Sequence, residues 1–169
     1  MVQFLRKLLR GPFFFRLMSF YPPYWGAGIR VKEVSSDYRR IRVELVLRFW
    51  NRNYVGVQFG GSLYSMADPF FMLMVMENLG RDYIVWDKSA SIRFKRPGRG
   101  KVVGVFELPL ERLDEIRRQV EIDGKSYPVF VVHLKDESGE VIAEVEKTLS
   151  VRQKKKHPPL ISTQPLAPE

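Results

Sequence analysis

NYVGVQFGGSLYSMADPFFMLMVMENLG, residues 53–80, changes character halfway along. Up to Phe59 it reads as a connection, with glycine at 56, and from Gly61 to Leu79 it is apolar nearly all round. A surface helix keeps one solvated face, so a run without one predicts a helix buried on most sides. Gly80 is placed to end it. Methionines at 66, 72, 74 and 76 suit the gaps of a core better than any ligand set.

Upstream of this helix, GIRVKEV (28–34) and YRRIRVELVLRFW (38–50) alternate apolar with polar residues around an SSD turn, predicting a hairpin. YPPYWGAG (21–28) reads as proline and glycine punctuation. Downstream, YIVWDKSASIRFKR (83–96) alternates with Ile84, Trp86, Ala90, Ile92 and Phe94 on one face. KVVGVFELP follows as a strand, LERLDEIRRQVE (110–121) as a short charged helix, and YPVFVVHLKDE with EVIAEVEKTLSVR as a closing hairpin. One helix too apolar to meet water and about six mostly antiparallel strands imply an α+β domain whose sheet curls round that helix. The expected organisation is an N-terminal amphipathic helix over 1–20, one domain over 21–152, and a basic, proline-rich, disordered tail over 153–169.

Composition narrows the chemistry. The 169 residues include no cysteine and two histidines, His133 and His157, which excludes disulfides, thiolate sites and histidine-cluster metal sites. A formal charge of +9 suits an anionic partner. No helix-turn-helix, zinc-finger or RNA-recognition signature is present, so nucleic acid is not expected. MVQFLRKLLRGPFFFRLM interleaves basic with apolar residues and is followed by no cleavage site; it predicts a helix packed on its own domain, with interfacial membrane contact as the alternative. No apolar stretch reaches the roughly 20 residues of a membrane span, and a cytoplasmic location is expected.

The layout, with NYVGVQFGGSLYSMAD leading into the helix, resembles the hotdog-fold superfamily of acyl-CoA thioesterases, in particular a thioesterase-like uncharacterised bacterial branch. The resemblance covers roughly 20–152. Its sharpest piece is Gly60-Gly61 with Asp68 seven positions after the second glycine. It implies hydrolysis of an acyl-CoA or other acyl thioester, with no cofactor beyond the coenzyme A the substrate carries, in a homodimer or tetramer that shares its sites across subunits. The dehydratase branch needs a histidine base, and neither histidine lies near this helix. Phe59 stands where many relatives carry a histidine.

The residues themselves make chemical sense of this. The helix mouth at Gly60 and Gly61 offers free N–H groups to an oxyanion, and glycine lets a substrate approach the backbone. Asp68 is placed as general base or nucleophile; Pro69 after it makes a helix cap the rival, structural reading. About 10 Å of helix separates Gly61 from Asp68, so one carbonyl cannot touch both within one chain, and a two-fold dimer is required. Asn53, Phe59 and Ser65 are candidate substrate contacts, Ser65 as a hydrogen-bond partner of Asp68. Arg93, Lys95, Arg96 and Arg99 surround a turn that could hold coenzyme A phosphates. Lys88 falls on the apolar face of its strand, either snorkelling or paired with a carboxylate such as Asp68. A hotdog module that binds acyl-CoA or lipid without catalysis is the competing reading.

Overall fold

A computed structural model describes residues 12–154. The described part opens with α1 (Pro12–Leu17), a 3-10 turn (Met18–Phe20) and α2 (Pro22–Ala27). Of the helix expected over 1–20, residues 1–11 lie outside the described part, and the remainder is these short pieces. The YPPYWG stretch, expected as punctuation, is itself helical. Its prolines occupy the first turn, where no N–H is needed, and Gly28 ends it at φ 80°. A side chain at Gly28 would also meet Asn51 Nδ2 at 2.4 Å. That amide donates to Ala27 O and Val46 O, at 2.7 and 2.9 Å, and so ties α2 to the loop after the hairpin.

The hairpin consists of β1 (Ile29–Val34) and β2 (Arg40–Val46). The central helix follows in two segments, α3 (Gly60–Ser65) and α4 (Phe70–Leu79). Then come β3 (Tyr83–Phe94), β4 (Lys101–Glu107), α5 (Leu110–Asp123), β5 (Lys125–Ser126), β6 (Val129–Asp136) and β7 (Val141–Gln153). The sheet has seven strands, one more than expected, because the two-residue β5 pairs with β7. Its order is β1-β2-β4-β6-β7-β3, every pairing antiparallel, so β1 and β3 form the edges. β7 runs through Gln153, opposite Tyr83, one residue into the expected tail.

One core joins sheet and helix. Ile41, Val43, Leu45, Val102, Leu134, Val145 and Leu149 line the sheet's inner face against Met66, Phe70, Met74 and Val75. Phe106 packs on Phe70 and Phe71 with ring centroids 5.0 and 5.2 Å apart, and Phe71 stacks on Phe130 at 4.7 Å. Each such ring buried contributes roughly 1.5–3 kcal/mol, which is why the all-round apolar run fixes where the helix sits.

Two local irregularities position the site. Between α3 and α4 the chain makes a turn at 66–69, where Ala67 and Asp68 N–H reach back only three residues, to Tyr64 O and Ser65 O. Pro69 supplies no N–H, and the ladder resumes with Leu73 N–H on Pro69 O at 3.0 Å. The other irregularity is a bulge in β3: Asp87 pairs with Leu149 and Ser89 with Thr148, leaving Lys88 unpaired. The extra residue inverts the expected alternation in the first half of the strand. Val85, not Trp86, is buried, while Ile92 in the second half packs on the core as expected.

Candidate active site

Lys147 is where the two irregularities meet. On β7 it lies in phase with Val145, Leu149 and Val151, all buried and inward-facing, and its own side chain is 1% exposed. Burying an ammonium is costly unless every N–H finds an acceptor. Here three oxygens surround it. Nζ donates to the carbonyl oxygen of Asp68 and to its Oδ1 at 2.5 Å, and forms an ion pair with Asp87 Oδ2 at 3.1 Å. The turn at 66–69 exposes the Asp68 carbonyl to the lysine; the stretch of β3 just before the bulge delivers Asp87.

Asp68 Oδ1 also accepts a hydrogen bond from Tyr64 OH at 3.0 Å, one helical turn back. The carboxylate accepts no backbone N–H of α4, so it does not cap that helix. Its side chain is 45% exposed, and Oδ2 has no hydrogen-bond partner among the described residues. The surrounding groups are tuned by burial. It pushes the Asp87 carboxyl above its ordinary value, with Lys147 opposing. It also draws the Lys147 ammonium down, but the carboxylates of Asp68 and Asp87 outweigh this and hold it above 10.5. Tyr24, whose OH donates to Ser65 O at 3.0 Å, is pushed well above the usual tyrosine range, chiefly by burial.

At the mouth of α3 lies a cleft of about 370 Å³, lined by Asn53, Gln58, Gly60, Phe94, Lys95 and Arg96 among others. The N–H groups of Gly60 and Gly61 carry no hydrogen bond among the described residues. Phe94 closes one side so tightly that a Cβ on Gly60 would stand 3.0 Å from its ring, and a Cβ on Gly61 would stand 2.5 Å from Phe59. Gln58 is buried in the cleft wall. Its amide nitrogen donates to Gly100 O at 2.8 Å, and its Oε1 is the only buried side-chain oxygen or nitrogen without a partner among the described residues.

The candidates named from sequence therefore divide into groups. Gly60, Asn53, Lys95 and Arg96 share the cleft, and Phe59 stands exposed at its lip. Asn53 is at the same time a turn organiser, its Oδ1 accepting the N–H groups of Val55 and Val57 at 3.1 Å each. Ser65 does not touch Asp68; its hydroxyl donates to Gly61 O at 2.8 Å, and Tyr64 takes the expected role. Arg93 is held outside the cleft by Glu144 at 2.9 Å, and Arg99 is exposed and lines no part of it. Lys88 is exposed over the Tyr127 ring at 3.6 Å and pairs with no carboxylate among the described residues. Lys147, Asp87, Tyr64 and Gln58 were not anticipated. The signal for Lys147 was present in EVEKTLSV, a lysine in step with three inward apolar residues. No group of three or more histidines and carboxylates gathers as it would for a metal among the described residues.

This architecture, an antiparallel sheet wrapped on a central helix whose mouth opens on a cleft, is that of thioesterase-like hotdog proteins. The chain belongs to the family described as a domain of unknown function, DUF4442, which matches residues 12–151. A protein of unknown function from Pseudomonas aeruginosa, PA5026, described as a probable thioesterase, superposes with a TM-score of 0.72 at 21% identity, over 83% of this chain and 95% of that one. Thioesterase HI1161 from Haemophilus influenzae gives 0.61 at 17% identity, over 84% and 92%. A protein of unknown function from Chlorobaculum tepidum gives 0.67 at 13%, over 85% and 98%. At these identities the likeness is one of fold. No curated protein matches the chain significantly.

Proposed function

We propose that this protein hydrolyses an acyl thioester, with acyl-CoA as the substrate class, using water activated by Asp68. One observation carries the reading: the Asp68 carboxylate is anchored through Oδ1 by Lys147 and Tyr64, while Oδ2 has no hydrogen-bond partner among the described residues and the side chain is 45% exposed. Oδ2 takes a proton from water as the water oxygen bonds to the thioester carbonyl carbon. The tetrahedral oxyanion is met by the N–H groups of Gly60 and Gly61, and the C–S bond then breaks. The proton passes to the leaving thiolate, so the products are a carboxylic acid and a thiol.

Asp68 and Gly61 lie roughly 10 Å apart along the helix, so the carboxylate serves the glycine mouth of a second copy. The β3 edge, twelve residues paired on one side only, is the surface a two-fold partner would extend. Lys95 at the cleft supplies a cation for the phosphates of coenzyme A, and Arg96 beside it, paired with Glu140 at 2.7 Å, would have to exchange that carboxylate for a phosphate.

The same lysine clamp favours a second reading, in which the anchored Asp68 is structural and the cleft only binds acyl-CoA. Turnover of acyl-CoAs from acetyl to palmitoyl, and of phenylacetyl-CoA, separates the two. Hydrolysis lost by at least about 10²-fold in Asp68→Asn, with affinity kept, is the expected result. Equal rates in both proteins would leave the binding module.

A further inference from the structure

The charge of this chain is unevenly placed. Residues 1–32 hold six basic side chains and no acidic one, and no acid occurs between Glu44 and Asp68. The described part of the first segment, 12–32, and the second meet at the β1 end of the sheet, where Ser19, Trp25, Arg30, Arg48 and Trp50 line one depression. The aromatic side chains there face outward. Phe20 is 75% exposed, Trp25 71%, Phe49 75% and Trp50 55%. The N-terminal aromatics are sorted in the same way: Phe15 is buried against Tyr38, while Phe13 stands 60% exposed beside it.

Scattered apolar groups on a surface need no explanation, but an aromatic patch whose lining holds two arginines and no acid does; outside that lining, Glu44 stands opposite Arg30 on β2. Tryptophan and phenylalanine with arginines between them are the composition that settles at the headgroup level of a bilayer, rings among the acyl boundary and guanidiniums on lipid phosphates. Arg48 already lies over the Trp50 ring, 5.4 Å from its centre, and Phe49 packs edge-on against Trp50 at 4.9 Å. A second copy is a poor occupant, because a two-fold contact would set Arg30 and Arg48 against their own images. The β3 edge offered to a partner copy lies at the opposite end of the sheet. No helix among the described residues is long and apolar enough to cross a membrane, so the contact would be peripheral.

We infer that the face built from α2, the start of β1 and the loop after β2 is a docking surface for anionic lipid bilayers, with Trp25 and Trp50 as anchors and Arg30 and Arg48 as the charge complement. The test is co-sedimentation of the full chain with vesicles of phosphatidylcholine, with and without phosphatidylglycerol. It is run on the native protein, a Trp25→Ala/Trp50→Ala variant and an Arg30→Glu/Arg48→Glu variant. All four positions are at or near the surface, and thermal melts establish that each variant is folded. Binding that requires phosphatidylglycerol and weakens by roughly tenfold or more in each variant is expected. Trp86, the third tryptophan, lies exposed on β3. The blue shift of fluorescence on adding vesicles should therefore vanish in Trp25→Phe/Trp50→Phe. Three results would overturn the inference: no vesicle binding by the native chain, binding unchanged in folded variants (as when residues 1–11 alone make the contact), or binding to an oligonucleotide in place of the vesicles.

Discussion

At the residue scale, Lys147 tests whether a buried cation can be read from its acceptors. With two hydrogen bonds to Asp68 and an ion pair to Asp87, it holds the turn before α4, strand β3 and strand β7 at one point. Lys147→Met keeps the length of the side chain but leaves Asp68 and Asp87 facing each other without a cation. Because both carboxylates retain solvent contact, we expect a loss of about 2–3 kcal/mol, below the cost for a fully buried pair. Urea unfolding measures it, and a loss under about 0.5 kcal/mol would mean the clamp contributes nothing to the fold. The pH dependence follows from the raised lysine. Its contribution is fully present below 10.5 and is lost as pH rises through the higher folded value. Native protein should therefore lose stability above that point more steeply than Lys147→Met, and parallel alkaline curves would contradict the assignment.

At the scale of elements, what was legible depended on whether a pattern was local. The central helix showed in its composition, and the hairpin, α5 and the closing strands showed in their periodicity, because burial repeats along each of them. The break at 66–69 was half visible in Pro69. What Asp68 does there was not, because its partner is 79 residues away. In β3 the alternation from Ala90 onward was readable, but the residues before Lys88 were assigned to the wrong face. A bulge is set by the neighbouring strand's register, which one strand's sequence does not contain. The glycine mouth of the helix was legible in Gly60-Gly61, and the structure sets a cleft beside Gly60. Lys147 was written in plain alternation and passed over, because a lysine among valines reads as an exception until a carboxylate faces it.

At the scale of the whole molecule, the sheet has one edge placed to pair and the other built beside α1 and α2. If β3 carries the partner, sedimentation velocity should give twice the 19.8 kDa chain mass. Trp86 is 66% exposed on that strand, and a charge there should split the assembly. Trp86→Lys is expected to run as a folded monomer without turnover. A monomer that still hydrolyses thioesters would show that one chain completes the site alone. The aromatic patch lies at the β1 end of the sheet and the β3 edge at the other, so the two contacts do not compete.

The bulge in β3 carries a further meaning for insertions and deletions. Asp87 pairs with Leu149 and Ser89 with Thr148, consecutive positions on β7, so Lys88 is a residue the ladder does not count. Removing it would leave Val85 and Asp87 on the face they now occupy, and Ala90, Ile92 and Phe94 on theirs. A single deletion inside a paired strand ordinarily turns half of it inside out. Here deletion of Lys88 should instead give a regular strand and a folded protein, with a melting temperature within a few degrees of the native value, whereas deletion of Ser91 should not fold. The length of this chain is thus negotiable at one position of its longest edge, and that position is a lysine that holds nothing but the face of a tyrosine.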